Sequence, residues 1–257
     1  MGSVSARTIL SRLRPTAKQA AERAGLGEAV ERLMPVLGGR VARRDRRDNQ
    51  AMRLALAIAL GPDSDCVDVG ASEGRVLEQL VRLAPRGRHI AYEPLPAMHA
   101  ALQARFPDVD VRCRALSDDA SKVEFTHVIT RPGYSGFRER RYPGDERLQK
   151  IQVETETLDE SLPEGFAPAL VKIDVEGAEG EVLRGARRLL ERHRPVVLLE
   201  HGEAARVYGT TPAEVHGILV TDCGLRMFDM DGYGPYSLDA FEDVVARGAY
   251  WNFAAVL

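Results

Sequence analysis

The sequence predicts an α/β protein built on a mostly parallel sheet with helices on both faces. Two observations carry that expectation. From residue 65 onward short apolar runs alternate with amphipathic helical ones. Between the first such run and the helix behind it stands a glycine loop, DVGASEG at 68–74, placed where a strand of a doubly wound sheet presents its carboxyl end.

Taken in order, residues 1–47 read as a basic, helical N-terminal appendage broken by Gly25, Gly27, Pro35 and Gly38-Gly39. DNQAMRLALAIALGP then reads as one helix, with Asp48 as N-cap and Gly61-Pro62 as the stop. It opens the main domain, 48–257. Strands are expected at 65–69, 88–92, 109–115, 170–173 and 195–199. Helices are expected between them, where Val76, Leu77, Leu80 and Val81 share one face and Val182, Leu183, Ala186, Leu189 and Leu190 share another. Thr211-Pro212-Ala213-Glu214 is a capping box with proline at the first helical position, and Gly224 closes that helix. KVEFTHVI and IQVETET alternate in period two around a Gly-, Pro- and Arg-rich centre, so residues 122–157 read as a β-hairpin insertion. LRMFDMDGYGPY and AYWNFAAVL read as two final strands.

Composition bounds the function. Net charge is −3, but residues 1–60 hold twelve Arg and Lys against five Asp and Glu, a local +7. The balance argues against a nucleic-acid partner. No apolar run reaches the ~18 residues of a membrane span. Cys66, Cys113 and Cys223 lie in or beside apolar runs and read as buried free thiols. A cytoplasmic enzyme is expected, with its oligomeric state open.

The loop glycines are spaced G-x-x-x-G, not the G-x-G-x-x-G of dinucleotide binders. Asp68 precedes them, and a carboxylate there suits a cationic ligand such as S-adenosylmethionine better than a pyrophosphate. Glu93, in HIAYEP, stands 93 − 68 = 25 residues on, where an acidic side chain can hold ribose hydroxyls.

LVKIDVEGAEGEVLRGARRLL at 170–190, together with DVGASEG, AYEP and ALSDD, resembles the FkbM-type family of S-adenosylmethionine-dependent methyltransferases. The resemblance spans about 48–200. It implies the Rossmann-like class I methyltransferase fold, a seven-stranded sheet with one antiparallel strand near the C-terminus. It also implies methyl transfer to an oxygen of a sugar or secondary metabolite. On this chain the loop Asp68, Gly70, Ala71, Ser72 and Gly74 would hold the methionine end of the cofactor. Glu93 would hold the ribose, and Ser117 with Asp118 would lie beside the adenine. Ser72 stands where family members often carry asparagine, and a serine can still donate to a carboxylate.

An alcohol acceptor must also lose a proton. Asp174 and Glu176 close the fourth strand, and Glu200 and His201 the fifth. Asp174 or His201 is a candidate base, histidine titrating near ~6.5. Alternatively Asp174, Glu200 and His201 bind Mg²⁺. Glu179 reads as helix support. In the insertion Gly133 and Gly136 read as hinges of a mobile lid, Tyr134, Phe137 and Tyr142 as stacking rings, and Arg131, Arg138, Arg140, Arg141 and Arg147 as a grip on an anionic acceptor. Competing readings are a dehydrogenase or other nucleotide-binding enzyme, and a catalytically silent binding module.

Overall fold

The computed structural model describes residues 39–142 and 144–257. Most of the expected N-terminal appendage lies outside the described residues. The chain divides into two compact units, 1–50 and 51–257. Helix α1 (Gly39–Ala59) begins nine residues before the expected cap at Asp48 (48 − 39 = 9). RVARRDRRD contains no breaker, and Asp48 is buried inside the helix with its carboxylate 2.9 Å from Arg44 one turn back. That i,i+4 pair supports continuation where the sequence suggested a start.

The second unit holds a seven-stranded sheet. In chain order its strands are β1 (Asp65–Val69), β2 (His89–Tyr92), β3 (Asp110–Arg112), β7 (Pro168–Ile173), β8 (Val196–Glu200), β9 (Arg226–Asp229) and β10 (Asn252–Val256). Their order across the sheet is β3-β2-β1-β7-β8-β10-β9. β10 pairs antiparallel with both neighbours, and the pairings among β3, β2, β1, β7 and β8 are parallel. This is the expected Rossmann-like arrangement.

Strand alternation sorts the side chains onto two faces. Val67, Val69, Val171, Ile173, Val197 and Leu199 point into the larger core. There they meet helices α5 (Glu179–Arg184), α6 (Arg187–His193) and α9 (Leu238–Ala246). Cys66, Leu170 and Leu198 point to the other face, against Leu56 and Leu60 of the α1 end and Leu80 of α2 (Arg75–Leu83). The strands through the centre are therefore largely apolar on both sides, as a covered parallel sheet requires, with Asp68 and Lys172 buried among them.

The capping box is present, Thr211 Oγ1 accepting from Glu214 N at 3.1 Å. Behind it α8 (Pro212–His216) runs into a π-helical stretch at 217–222, and Gly224, at φ 70°, ends it.

The strand expected at 109–115 is two strands. After β3 the chain leaves the large sheet at Cys113, and β4 (Ala115–Leu116) pairs with β6 (Leu148–Glu156) in a second sheet, order β4-β6-β5. Arg112 and Arg114 drive the exchange. Arg112 donates to Tyr92 Oη, Glu156 and Ser161 O, and Arg114 pairs with Glu154 and Glu156 of β6. Cys113, at that break, is exposed, whereas Cys66 and Cys223 are buried as expected. The predicted hairpin is β5 (Lys122–Val128) against β6, in antiparallel register from Lys122↔Glu154 to Val128↔Leu148. Among the described residues no helix is long and apolar enough to cross a membrane.

Candidate active site

The strand order reverses at β1, whose neighbours β2 and β7 lie on opposite sides, so the loops leaving β1 and β7 part and open a crevice. A cavity open to solvent lies there. Gly70, Ser72 and Glu93 line one part of it, and Asp174, Val175 and Glu176 line another.

The first wall is built from backbone. Gly70 N and Ala71 N both donate to Tyr92 O at 3.0 Å. This folds the loop back over β2. Gly70 sits at φ 78°, and a Cβ on it would lie 2.0 Å from Asp174 O. Only glycine fits there, because the space belongs to the neighbouring strand's backbone. Gly74 is a glycine for another reason. At φ 75° it precedes α2, and its missing Cβ makes room for Leu102 and Phe106 of the packed helix α3 (Pro96–Arg105) and its end. It shapes the loop from behind.

Glu93 joins loop and strand. Its Oε2 accepts from Ser72 N and its Oε1 from Leu95 N, each at 2.9 Å. Ser72 is at φ 50° in that arrangement, a conformation uncommon for a side-chain-bearing residue. Burial pushes the Glu93 carboxyl up from its ordinary range, against the two amides that favour its charge. An ionised carboxylate has about four acceptor positions. Two amides leave room for a diol.

The second wall continues from β7. Asp174 is half-buried, and its Oδ2 accepts from Lys172 Nζ at 3.1 Å. Glu176 is paired with Arg140 and held at φ 58°. Burial first, and then the Asp174 charge, push the Glu176 carboxyl up to about 7. Glu179 is buried, and its Oε1 accepts from Val175 N at 3.3 Å and Gly177 N at 2.9 Å, so it folds the turn before α5.

The other expected site residues lie elsewhere. Asp68 is fully buried beneath the loop, 3.8 Å from Lys172 Nζ, and burial pushes its carboxyl up. Ala71 is buried behind Gly70 and Ser72. Ser117 turns its hydroxyl to Asp118 Oδ1 at 3.3 Å, Asp118 pairs with Arg184 at 2.6 Å, and neither lines the cavity. Leu116 and Ala115 line it instead.

His201 is not beside Asp174. It is 1% exposed, and it borders a second hollow with Arg206, Thr210 and Glu242. Glu200 stays at the end of β8, half-buried, its carboxyl raised well above its ordinary range by burial and by Asp174. The Mg²⁺ ligand set of Asp174, Glu200 and His201 is therefore not assembled. Among the described residues no group of three or more His, Cys, Asp or Glu could hold a metal ion. An ammonium, that of Lys172, sits against Asp174 where a cation would be needed.

Burial lowers the His201 imidazole to about 4. The unfolded chain, titrating near 6.5, binds a proton in that window that the folded chain refuses. His201 stability is thus full above pH 6.5 and lost as pH falls to about 4, by roughly 3 kcal/mol. Denaturant unfolding across that window should show His201→Gln losing stability less steeply than the parent. Equal slopes would place the imidazole in water.

The insertion is laid against the fold. Phe125 and Phe137 meet edge to face at 5.6 Å and pack with Leu95 and Ala115. Gly136 lies where a Cβ would meet Tyr208 Oη at 2.7 Å, a close approach more than a hinge. Arg131 pairs with Glu146, Arg138 donates to Val207 O and Arg140 pairs with Glu176. Any grip by these three arginines on an acceptor would require them to leave those partners.

Sequence reasoning passed over Lys172 and Arg140–Glu176. The first had a signal, a lone lysine inside the apolar run ALVKI of a covered strand. The second had none, since Arg140 lies 36 residues from Glu176 in an irregular loop.

A family model described as the methyltransferase FkbM domain matches residues 68–227. The 2-O-methyltransferase NoeI of Sinorhizobium fredii is 26% identical over 180 residues, 62% of this chain and 72% of that protein. The AMB antimetabolite synthetase AmbE of Pseudomonas aeruginosa is 38% identical over 84 residues, 31% of this chain. The crystal structure of methyltransferase FkbM from Methylobacillus flagellatus superposes with a TM-score of 0.50 at 17% identity, over 76% of this chain. The chain spans only 4% of AmbE and 44% of the Methylobacillus protein. With more than half its length matched, from the glycine loop into β9, the chain belongs to the FkbM methyltransferase family.

Proposed function

We propose that the protein transfers the methyl group of S-adenosylmethionine to a hydroxyl of a sugar or secondary metabolite. One observation carries the reading. Glu93, tied to the glycine loop through Ser72 N, opens onto the same cavity as the carboxylate of Asp174. When bound, S-adenosylmethionine supplies a methyl on a sulfonium; the carbon–sulfur bond breaks with its electrons going to sulfur as the carbon–oxygen bond forms.

The chain's residues do the rest. Glu93 accepts from the ribose hydroxyls. Asp174 takes the acceptor's proton, its second oxygen remaining after Lys172 has engaged Oδ2. Leu116, Phe125 and Phe137 give an apolar wall that excludes water. Similarity to NoeI, a 2-O-methyltransferase by name, supports oxygen as the acceptor atom.

Calorimetry should find S-adenosylhomocysteine binding to the protein and NAD(H) binding far more weakly. A panel of hydroxylated acceptors should then show turnover. Glu93→Gln should weaken S-adenosylhomocysteine by about 1–3 kcal/mol, because an amide donor replaces one acceptor oxygen in a site of donors. Tight NAD(H) binding without response to S-adenosylhomocysteine would sink the reading. Cofactor binding with no turnover on any acceptor would favour the silent module.

A further inference from the structure

We propose that Lys172 is the positioning residue that fixes the two walls of this cavity relative to one another. The proposal rests on the cofactor reading above. Strand register gives its basis. Asp68 of β1 stands opposite Lys172 of β7, and one alternation further along the same face come Gly70 and Asp174. Below that pair Cys66 and Leu170 are apolar. Lys172 thus marks the point where a greasy sheet face becomes a polar one.

Its ammonium has contacts on both sides of the crevice. Nζ lies 3.1 Å from Asp174 Oδ2, 3.5 Å from Gly70 O and 3.8 Å from Asp68 Oδ1. Gly70 belongs to the loop that would receive the cofactor, and Asp174 to the acceptor side. Lys172 is itself buried, with a side chain 8% exposed. Burial alone would lower its pKa, but Asp174, Asp68 and Glu200 around it hold it above the ordinary lysine range. A buried cation among carboxylates is costly unless paired. Fully buried Asp68, 3.8 Å away, is a neighbour that does not depend on ligand, so the ammonium has a carboxyl beside it whether or not the cavity is filled. Two of its three donors thus reach Asp174 and the Gly70 carbonyl, and they hold that carboxylate and that carbonyl to one point, in addition to the backbone bond from Asp174 N to Val69 O.

This separates Lys172 from a lysine that only balances charge. Replacing a buried ion pair by apolar and neutral groups can be neutral for stability. Asp68→Asn and the double variant Asp68→Asn/Lys172→Met therefore provide the comparison, each measured for thermal stability and for S-adenosylhomocysteine affinity by calorimetry. The double variant should melt close to the single one, yet bind S-adenosylhomocysteine at least tenfold more weakly, since no side chain then ties Gly70 O to the Asp174 carboxylate. Equal affinity in the two variants would overturn the positioning role and leave the cofactor reading intact. Absence of S-adenosylhomocysteine binding to the parent protein would overturn both. If the double variant does not fold, Asp68→Asn/Lys172→Gln replaces it under the same criterion.

Discussion

Asp174→Asn should lower turnover about 10²-fold or more while S-adenosylhomocysteine affinity changes only a few-fold. The geometry separates the two effects. Asp174 lines the side of the cavity proposed for the acceptor, whereas the wall proposed for the cofactor is Gly70, Ser72 and Glu93 with its own hydrogen bonds to Tyr92 O and the Leu95 amide. An asparagine keeps the shape and can still accept from Lys172, but it takes no proton from an alcohol, and a lost general base costs about 10²–10⁴-fold. Glu176 cannot readily substitute, because its carboxylate is paired with Arg140. Treatment with a chelator should leave turnover unchanged, as Lys172 occupies the cation position beside Asp174. Wild-type turnover in Asp174→Asn would remove Asp174 from the chemistry. Loss with chelator and recovery with Mg²⁺ would mean that Lys172 withdraws and a metal site forms that this arrangement does not contain.

The fold was legible because its signals are local. Each central strand is a mostly apolar run of four to six residues ended by a charged residue or glycine, and alternation with amphipathic helices leaves few topologies for a right-handed parallel sheet. The glycine loop and Glu93 were legible for the same reason, since each sits at a strand end. What failed depended on partners far away in sequence. Whether 109–115 is one strand or two is decided by β6, some forty residues on, which captures Ala115 and Leu116. His201 follows Glu200 directly, and a strand end suggested that both would face the crevice. Its amide donates to Trp251 O, and its ring lies 5.9 Å from that of Phe241, toward the second hollow. Ile173 stands opposite Leu199, which puts Asp174 level with Glu200; neighbouring residues on a strand point to opposite faces, so His201 reaches the other side. That parity is in the sequence; the register needed to use it is not.

Gly70→Ala should abolish measurable S-adenosylhomocysteine binding and destabilise the fold by about 3 kcal/mol or more. Two costs add. At φ 78° a side-chain-bearing residue is strained by roughly 1–3 kcal/mol. The new Cβ would also lie 2.0 Å from Asp174 O, a backbone atom of an adjacent strand that has no rotamer to adopt. Relief requires the loop and the end of β7 to move apart, which breaks the Gly70 and Ala71 bonds to Tyr92 O and withdraws Ser72 N from Glu93. Gly74→Ala provides the control. Its φ is similar at 75°, but the new methyl meets Leu102 Cδ2 at 2.6 Å and Phe106 Cε2 at 2.8 Å, side-chain atoms that can turn aside. It should cost stability of the same sign but retain S-adenosylhomocysteine binding within about tenfold, because the strain falls behind the loop and not between its walls. Unfolding midpoints and calorimetry on the two variants decide the matter. If Gly74→Ala loses the ligand and Gly70→Ala keeps it, the cofactor wall has been placed on the wrong side of the loop.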